Sequence, residues 1–150
     1  MVASYKKELA MNINKVAILI KKASLEFDKV SNSIFAEYDL SAAQYKVLMY
    51  IYSQESRTAR VIDMEREYSI THPTALGLIG QLEKKGFTVR VNNPNDARGK
   101  MIALTEKANT MQKELEALGD SVENKLTEHL TDAEKKELIA LLRKLINTAD

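Results

Sequence analysis

From Gln81 to Thr105 the chain runs Gln-Leu-Glu-Lys-Lys-Gly-Phe-Thr-Val-Arg-Val-Asn-Asn-Pro-Asn-Asp-Ala-Arg-Gly-Lys-Met-Ile-Ala-Leu-Thr, a succession that few folds accommodate. Gly86 reads as a helix stop, because glycine takes the left-handed conformation that closes a helix at little steric cost. Phe87 to Val91 alternates apolar and polar side chains, as a half-buried strand does, and Met101 to Leu104 answers it. Asn92-Asn93-Pro94-Asn95-Asp96 is the turn-rich loop between them. From Lys84 to Lys100 the basic residues Lys84, Lys85, Arg90, Arg98 and Lys100 face Asp96 alone, although the whole chain carries a net charge of only +1. A local basic patch suits nucleic-acid binding, because each neutralised phosphate releases a condensed counterion. The competing reading is an ordinary solvated hairpin, and charge alone does not choose between them.

At 150 residues and 45% hydrophobic content the chain fits one compact domain or two small, closely packed ones. The longest apolar run, Val16 to Ile20, falls far short of the roughly 20 residues that cross a bilayer. The N-terminus lacks the apolar core of a signal peptide, so a cytoplasmic protein without membrane contact is expected. The chain has no cysteine, and its only histidines are His72 and His129, which argues against disulfides, thiol chemistry and a His-rich zinc site. It shows no Gly-rich phosphate loop, no serine beside a histidine and no paired carboxylates outside ordinary helix surfaces. Catalytic residues, metal and cofactors are therefore not expected.

Leu9, Ile13, Val16, Ile20, Ala23, Phe27, Val30 and Ile34 recur at steps of four and three. This heptad stripe predicts one long amphipathic helix over 5–37, longer than a small domain needs for its own core and suited to a partner helix. Leu104, Ala108, Met111, Leu115, Leu118, Val122 and Leu126 predict a second long helix reaching about His129, with Gly119 marking a bend at a cost of about 1 kcal/mol. Thr131-Asp132-Ala133-Glu134 is a capping box opening a last helix, striped with Leu138, Leu141, Leu142 and Leu145.

The elements between are shorter. Ser41-Ala42-Ala43-Gln44 is a capping box for a helix through Tyr45, Leu48, Met49 and Tyr52. Thr58 to Tyr68 predicts a short helix burying Val61, Ile62, Met64 and Tyr68. Ser69-Ile70-Thr71 is a turn, and Thr71 caps a helix that tolerates Pro73 in its first turn and buries Leu76, Leu78, Ile79 and Leu82. Helix, three-residue turn and helix make a helix-turn-helix. In the second helix Thr71, His72, Thr74, Ala75, Gly77, Leu78 and Gln81 are small or uncharged, His72 apart, and no carboxylate occurs before Glu83. Such a face can lie in a major groove, where Thr and Gln reach base edges; the alternative is a face packed on another protein. With the hairpin that follows, the unit is a winged helix. Arg98 on the tip is placed for a narrow minor groove, with Asp96 as acceptor for its guanidinium. The rival reading makes these two a surface ion pair worth at most about 1 kcal/mol.

Leu40-Ser41-Ala42-Ala43-Gln44-Tyr45, His72-Pro73-Thr74, Leu82-Glu83-Lys84-Lys85-Gly86-Phe87, and Asp96-Ala97-Arg98 followed by Leu104-Thr105-Glu106-Lys107 together resemble the MarR family of bacterial winged-helix transcriptional regulators. The Asp-x-Arg wing followed by Leu-Thr-Glu is the most specific part. The resemblance implies a mainly α fold with a small β-hairpin wing. It divides the chain into a dimerisation helix over 1–37, a winged helix-turn-helix over 38–104 and further dimerisation helices over 105–150. It implies a homodimeric repressor on a pseudo-palindromic, double-stranded DNA operator. Thr71, His72, Thr74, Ala75, Leu78 and Gln81 would face the major groove, and Asp96, Arg98, Lys100 and Arg90 would serve the wing. Lys84 and Arg57 or Arg60 would meet phosphates. A small aromatic or anionic effector would bind near Phe27, Tyr38, Tyr45 and Met49, although such aromatics are more often plain core. Within the family, the lack of cysteine excludes the thiol-peroxide-sensing branch, and two distant histidines disfavour the metal-sensing one. The chain departs from the family in having Ala108 where glycine is common and Glu65 where alanine is common. The alternative function is a winged helix that docks proteins without specific DNA binding.

Overall fold

The computed structural model describes residues 15–147; Leu9 and Ile13, the first two positions of the N-terminal stripe, lie outside them. The stripe from Val16 onward forms helix α1, Val16–Phe35. A short 3-10 turn follows, and Asp39 reverses the chain in the left-handed region at φ 55°. Helix α2, Ala42–Ser53, opens on the predicted capping box: Ser41 Oγ accepts from Gln44 N at 3.1 Å and Gln44 Oε1 accepts from Ser41 N at 3.1 Å. These bonds satisfy donors that a helix end otherwise leaves without partners.

The segment expected as one helix from Thr58 divides instead into strand β1, Thr58–Arg60, and helix α3, Val61–Tyr68. Arg57, at φ 56°, turns the chain so that Thr58, Ala59 and Arg60 pair with Ala103, Ile102 and Met101. Three residues are too few for alternation to declare a strand; long-range pairing decides it. In α3 Met64 is buried as expected, whereas Ile62 is 42% exposed.

Helix α4, His72–Lys84, follows a turn in which Ser69 takes the left-handed conformation, and Thr71 caps it by accepting from Thr74 N. Gly86, at φ 79°, ends it: Gly86 N donates to Glu83 O and Phe87 N to Leu82 O, while Phe87 turns into the core at 2% exposure. Strands β2, Thr88–Asn93, and β3, Asp96–Leu104, form the hairpin. With β1 they make an antiparallel sheet in the order β1-β3-β2, and Ile102 at its centre is 1% exposed. The strands run further than the sequence indicates, leaving Pro94 and Asn95 as the tip. The expected alternation is not kept: at the base of the hairpin Thr88 is buried and Val89 is 45% exposed.

The second long stripe is also divided. Leu104 ends β3, Thr105 caps a short helix α5, Glu106–Thr110, and Met111 breaks the path before α6, Gln112–Leu126. Gly119 lies inside the unbroken span of α6. A Cβ there would lie 3.1 Å from Tyr45 Oη, so this glycine admits the tyrosine. Helix α7, Asp132–Asn147, opens on the expected box, with Thr131 N donating to Glu134 Oε2 at 2.8 Å and Glu134 N to Thr131 Oγ1 at 3.2 Å.

Leu48 and Ile51 of α2, Ile79 and Leu82 of α4, Met64, Ile102 and Leu115 form one core, each at most 1% exposed. Tyr52 joins it, its hydroxyl donating to Ala108 O, and burial pushes its pKa up to about 12. A raised tyrosine pKa favours the protonated, folded form. Its contribution is complete below the ordinary value of 10 and vanishes as the pH rises through about 12. Denaturant titrations at increasing pH should therefore show stability falling across that interval, and Tyr52→Phe should flatten the fall; an unchanged slope in the variant would contradict the assignment.

Candidate nucleic-acid interface

Helix α4 presents two unlike faces. Ala75, Ile79 and Leu82 are buried, since residues spaced by three and four share one side of a helix. Ala75, expected to face the groove, is only 2% exposed and is corrected to the core. Leu78, also expected there, is partly buried against the core and keeps part of its surface outward. Thr71, His72, Thr74 and Gln81 are exposed, with Thr71 and Thr74 hydroxyls 2.9 Å apart. Gly77 and Gly80 lie on the outer side, and a Cβ at either would meet nothing within 4 Å. The backbone of α4 is thus bare there without any packing reason inside the chain.

His72 Nδ1 is hydrogen-bonded to Glu65 Oε1 of α3, which joins the two helices of the helix-turn-helix. Glu65, noted in the sequence only as a departure from the family pattern, has this as its use.

Three potential phosphate contacts are already held by the chain's own acceptors. Arg60 grips Asp63 through Nε and Nη2 at 2.7 and 2.8 Å, and that bond holds the Asp63 carboxyl below the usual carboxylate range. Arg90 Nε meets Glu83 at 2.7 Å, fixing β2 to α4, and Lys100 Nζ donates to Asn92 Oδ1 at 2.7 Å. Arg60, Glu65, His72, Asn93, Asp96 and Lys100 line one recess between α3, the start of α4 and the wing. Arg57 points elsewhere, with Nη1 on Gln112 Oε1 at 2.9 Å and its guanidinium 5.9 Å from the Tyr52 ring. Of the pair named from sequence, Arg60 alone is beside the wing.

At the tip, Asp96 Oδ1 accepts from the backbone N of Arg98 at 2.9 Å rather than from its guanidinium. The carboxylate shapes the turn, and Arg98 stays exposed with no ion pair to any described residue. Lys84 is exposed as well.

Residues 29–115 match the family model described as Transcriptional regulator SarA/Rot, more than half of the chain. The chain belongs to the SarA/Rot and MarR group of winged-helix transcriptional regulators. Among curated relatives, the multiple antibiotic resistance protein MarR of Escherichia coli is 29% identical over 129 residues, covering 85% of this chain and 88% of its own. The regulator SarZ of Staphylococcus aureus is 28% identical over 133 residues, covering 89% and 87%. A crystal structure of a mutant of Escherichia coli MarR complexed with operator DNA superposes with a TM-score of 0.77 at 27% identity, covering 89% of this chain and 95% of that one. A structure of Bordetella bronchiseptica BpsR, concerned with regulation of its DNA binding by 6-hydroxynicotinic acid, has a TM-score of 0.75 at 22% identity, covering 89% and 94%, and shows the fold alone. This MarR-type chain is a DNA-binding transcriptional regulator.

The four side chains named for an effector cleft are all partly buried against the core of this MarR-type fold. Tyr45 stacks on Phe35 with ring centroids 4.1 Å apart and donates to Leu115 O at 2.9 Å. Burial, foremost, raises its pKa. Phe27, Tyr38 and Met49 are each partly buried against the same core.

Two outcomes test the interface. Arg98→Ala should abolish specific operator binding in gel-shift titrations while leaving the circular dichroism spectrum and melting temperature unchanged; retained affinity would remove the arginine from the wing contact. Gly77→Ala and Gly80→Ala should each stabilise the fold by about 1 kcal/mol, the helix-propensity difference, yet weaken DNA binding by blocking close approach. Unaltered binding by both variants would show that the bare helix face does not meet DNA.

Proposed function

We propose that the chain is a homodimeric repressor that two winged helices hold on a pseudo-palindromic operator and that a small aromatic or anionic effector releases. The observation carrying the dimer is the exposed apolar surface of the terminal helices. Helix α7 has no buried residue, although Leu138, Leu141 and Ile146 are 42%, 56% and 66% exposed. Leu138 and Leu141 stand near Val16 and Leu19 of α1, at 63% and 48%, and Val16, Leu19, Ile20, Ala23, Leu138, Leu141 and Leu142 line one apolar groove. Contiguous apolar surface of this kind marks an association site in a soluble chain.

On this reading residues up to 37 and from 105 onward assemble the dimer, while 38–104 bind DNA. A two-fold axis would present two copies of α4 and of the Arg98 tip to successive turns of the duplex, which favours an inverted-repeat target. Repression is supported by likeness to MarR, which is itself described as a multiple antibiotic resistance repressor. An anionic aromatic effector has a precedent on this fold in BpsR, whose own DNA binding is regulated by 6-hydroxynicotinic acid. A ligand that binds the released state more tightly than the bound one shifts the population off DNA.

Sedimentation of the wild type should give a dimer, and Leu138→Glu with Leu141→Glu should shift it toward monomer. Footprinting on DNA flanking its own gene should protect two half-sites about one helical turn apart. A monomeric wild type or a single protected half-site would overturn the symmetric reading. Among aromatic carboxylates, at least one should raise the melting temperature and lower operator affinity; if none does, release by such an effector fails.

A further inference from the structure

Gln44 does more than cap α2. Its side chain is almost fully buried, at 4% exposure, yet it bonds to three residues, one at the start of its own helix and two at the end of α4. Its Oε1 accepts from Ser41 N at 3.1 Å and from Lys85 Nζ at 2.9 Å, and its Nε2 donates to Gln81 Oε1 of α4 at 2.5 Å. Lys85 is itself fixed, donating to Asp39 O with its Nζ 3.6 Å from the Asp39 carboxylate.

An amide can be turned end for end, but here its surroundings leave no choice. A backbone N–H and an ammonium group are donors only, so the oxygen of Gln44 must face them and its NH2 must face Gln81. That NH2 in turn requires the oxygen of Gln81. The exposed end of Gln81 is therefore its Nε2, which finds no acceptor among the described residues. A free glutamine reads adenine by donating and accepting at once. Gln81 cannot, because its oxygen is turned inward onto the buried Gln44 and its NH2 is the end left to face outward.

We infer that Gln44 is a positioning residue for DNA recognition: the Ser41–Lys85–Gln44–Gln81 chain of hydrogen bonds fixes the Gln81 amide so that it meets DNA as a donor alone. Its partner is an acceptor oxygen or nitrogen, either on the major-groove edge of guanine or thymine, which presents acceptors and no donor, or on a phosphate. This rests on the reading of α4 as the groove helix, and it adds the direction in which one side chain there can bond.

Gln44→Glu isolates the effect. A glutamate keeps the capping box and the Lys85 contact but offers Gln81 only an acceptor, so the Gln81 amide turns over and its oxygen faces outward. Wild type, Gln44→Glu, Gln81→Ala and the double variant would each select from a randomised duplex library, with affinities measured on the wild type's selected duplex and melting temperatures recorded. We expect Gln44→Glu to melt no lower than wild type and to bind about three- to tenfold more weakly, as loss of a single hydrogen bond implies. For a base contact, positions that depend on Gln81 should move from guanine or thymine toward adenine or cytosine. For a phosphate contact, base preference should stay the same and the affinity loss should disappear in the Gln81→Ala background. Unchanged affinity and preference, or a loss of equal size with and without Gln81, would overturn the inference while leaving DNA binding intact. If the wild type selects no duplex, the groove-helix reading falls with it.

Discussion

The wing stands where it does because of Thr105. Its backbone N donates to Phe87 O at 3.0 Å, its hydroxyl donates to Gly86 O at 2.6 Å, and the same Oγ1 accepts from Ala108 N at 3.3 Å to begin α5. One residue thus closes the base of the hairpin, seals the end of α4 and starts the helix that leads away. Lys107 adds a second clasp, with Nζ on Lys85 O at 2.7 Å and 4.4 Å from the centre of the Phe87 ring. Together with the β1 pairing on β3 and the Arg90–Glu83 contact, this junction ties the base of the hairpin to the end of α4, support that an isolated two-stranded hairpin would lack.

The parts of the fold that were legible in sequence are those fixed by local chemistry. Two capping boxes, the Thr71 cap and the Gly86 stop appear as read, because each depends on residues within a few positions of one another. The parts that were not legible depend on distant partners. Strand β1 exists because β3 offers an edge, and nothing in Thr58-Ala59-Arg60 announces it. Gly119 reads as a bend in sequence, and what the sequence does not announce is its neighbour Tyr45, some seventy positions away in chain order, whose hydroxyl needs the room. Ala75 shows the same limit at the candidate site. Its small size suits a groove or a core equally, and only its alignment with Ile79 and Leu82 assigns it. Gln44 was read for its cap and not for its reach to α4, because the position of one helix relative to another has no signature in a four-residue motif.

Charge tells a similar story. The basic excess around the hairpin is real in composition, but much of it is answered within the chain: Glu83 holds Arg90, Asp63 holds Arg60 and Asp39 neighbours Lys85. Exposed pairs of this type contribute little to stability. Their larger effect is to hold long side chains in fixed directions around α4 and the wing. Arg98, by contrast, has its backbone held through Asp96 while its guanidinium remains available.

Gln44 and Tyr45 are consecutive residues of α2, and they pull in different directions. Gln44 reaches α4 through Gln81, while Tyr45 reaches α6 through Leu115 O and rests over Gly119. A single turn of helix α2 thus contacts both the α4 glutamine and the long C-terminal helix, so the packing of α6 against Tyr45 and the orientation of the Gln81 amide are set by neighbouring side chains of one short segment.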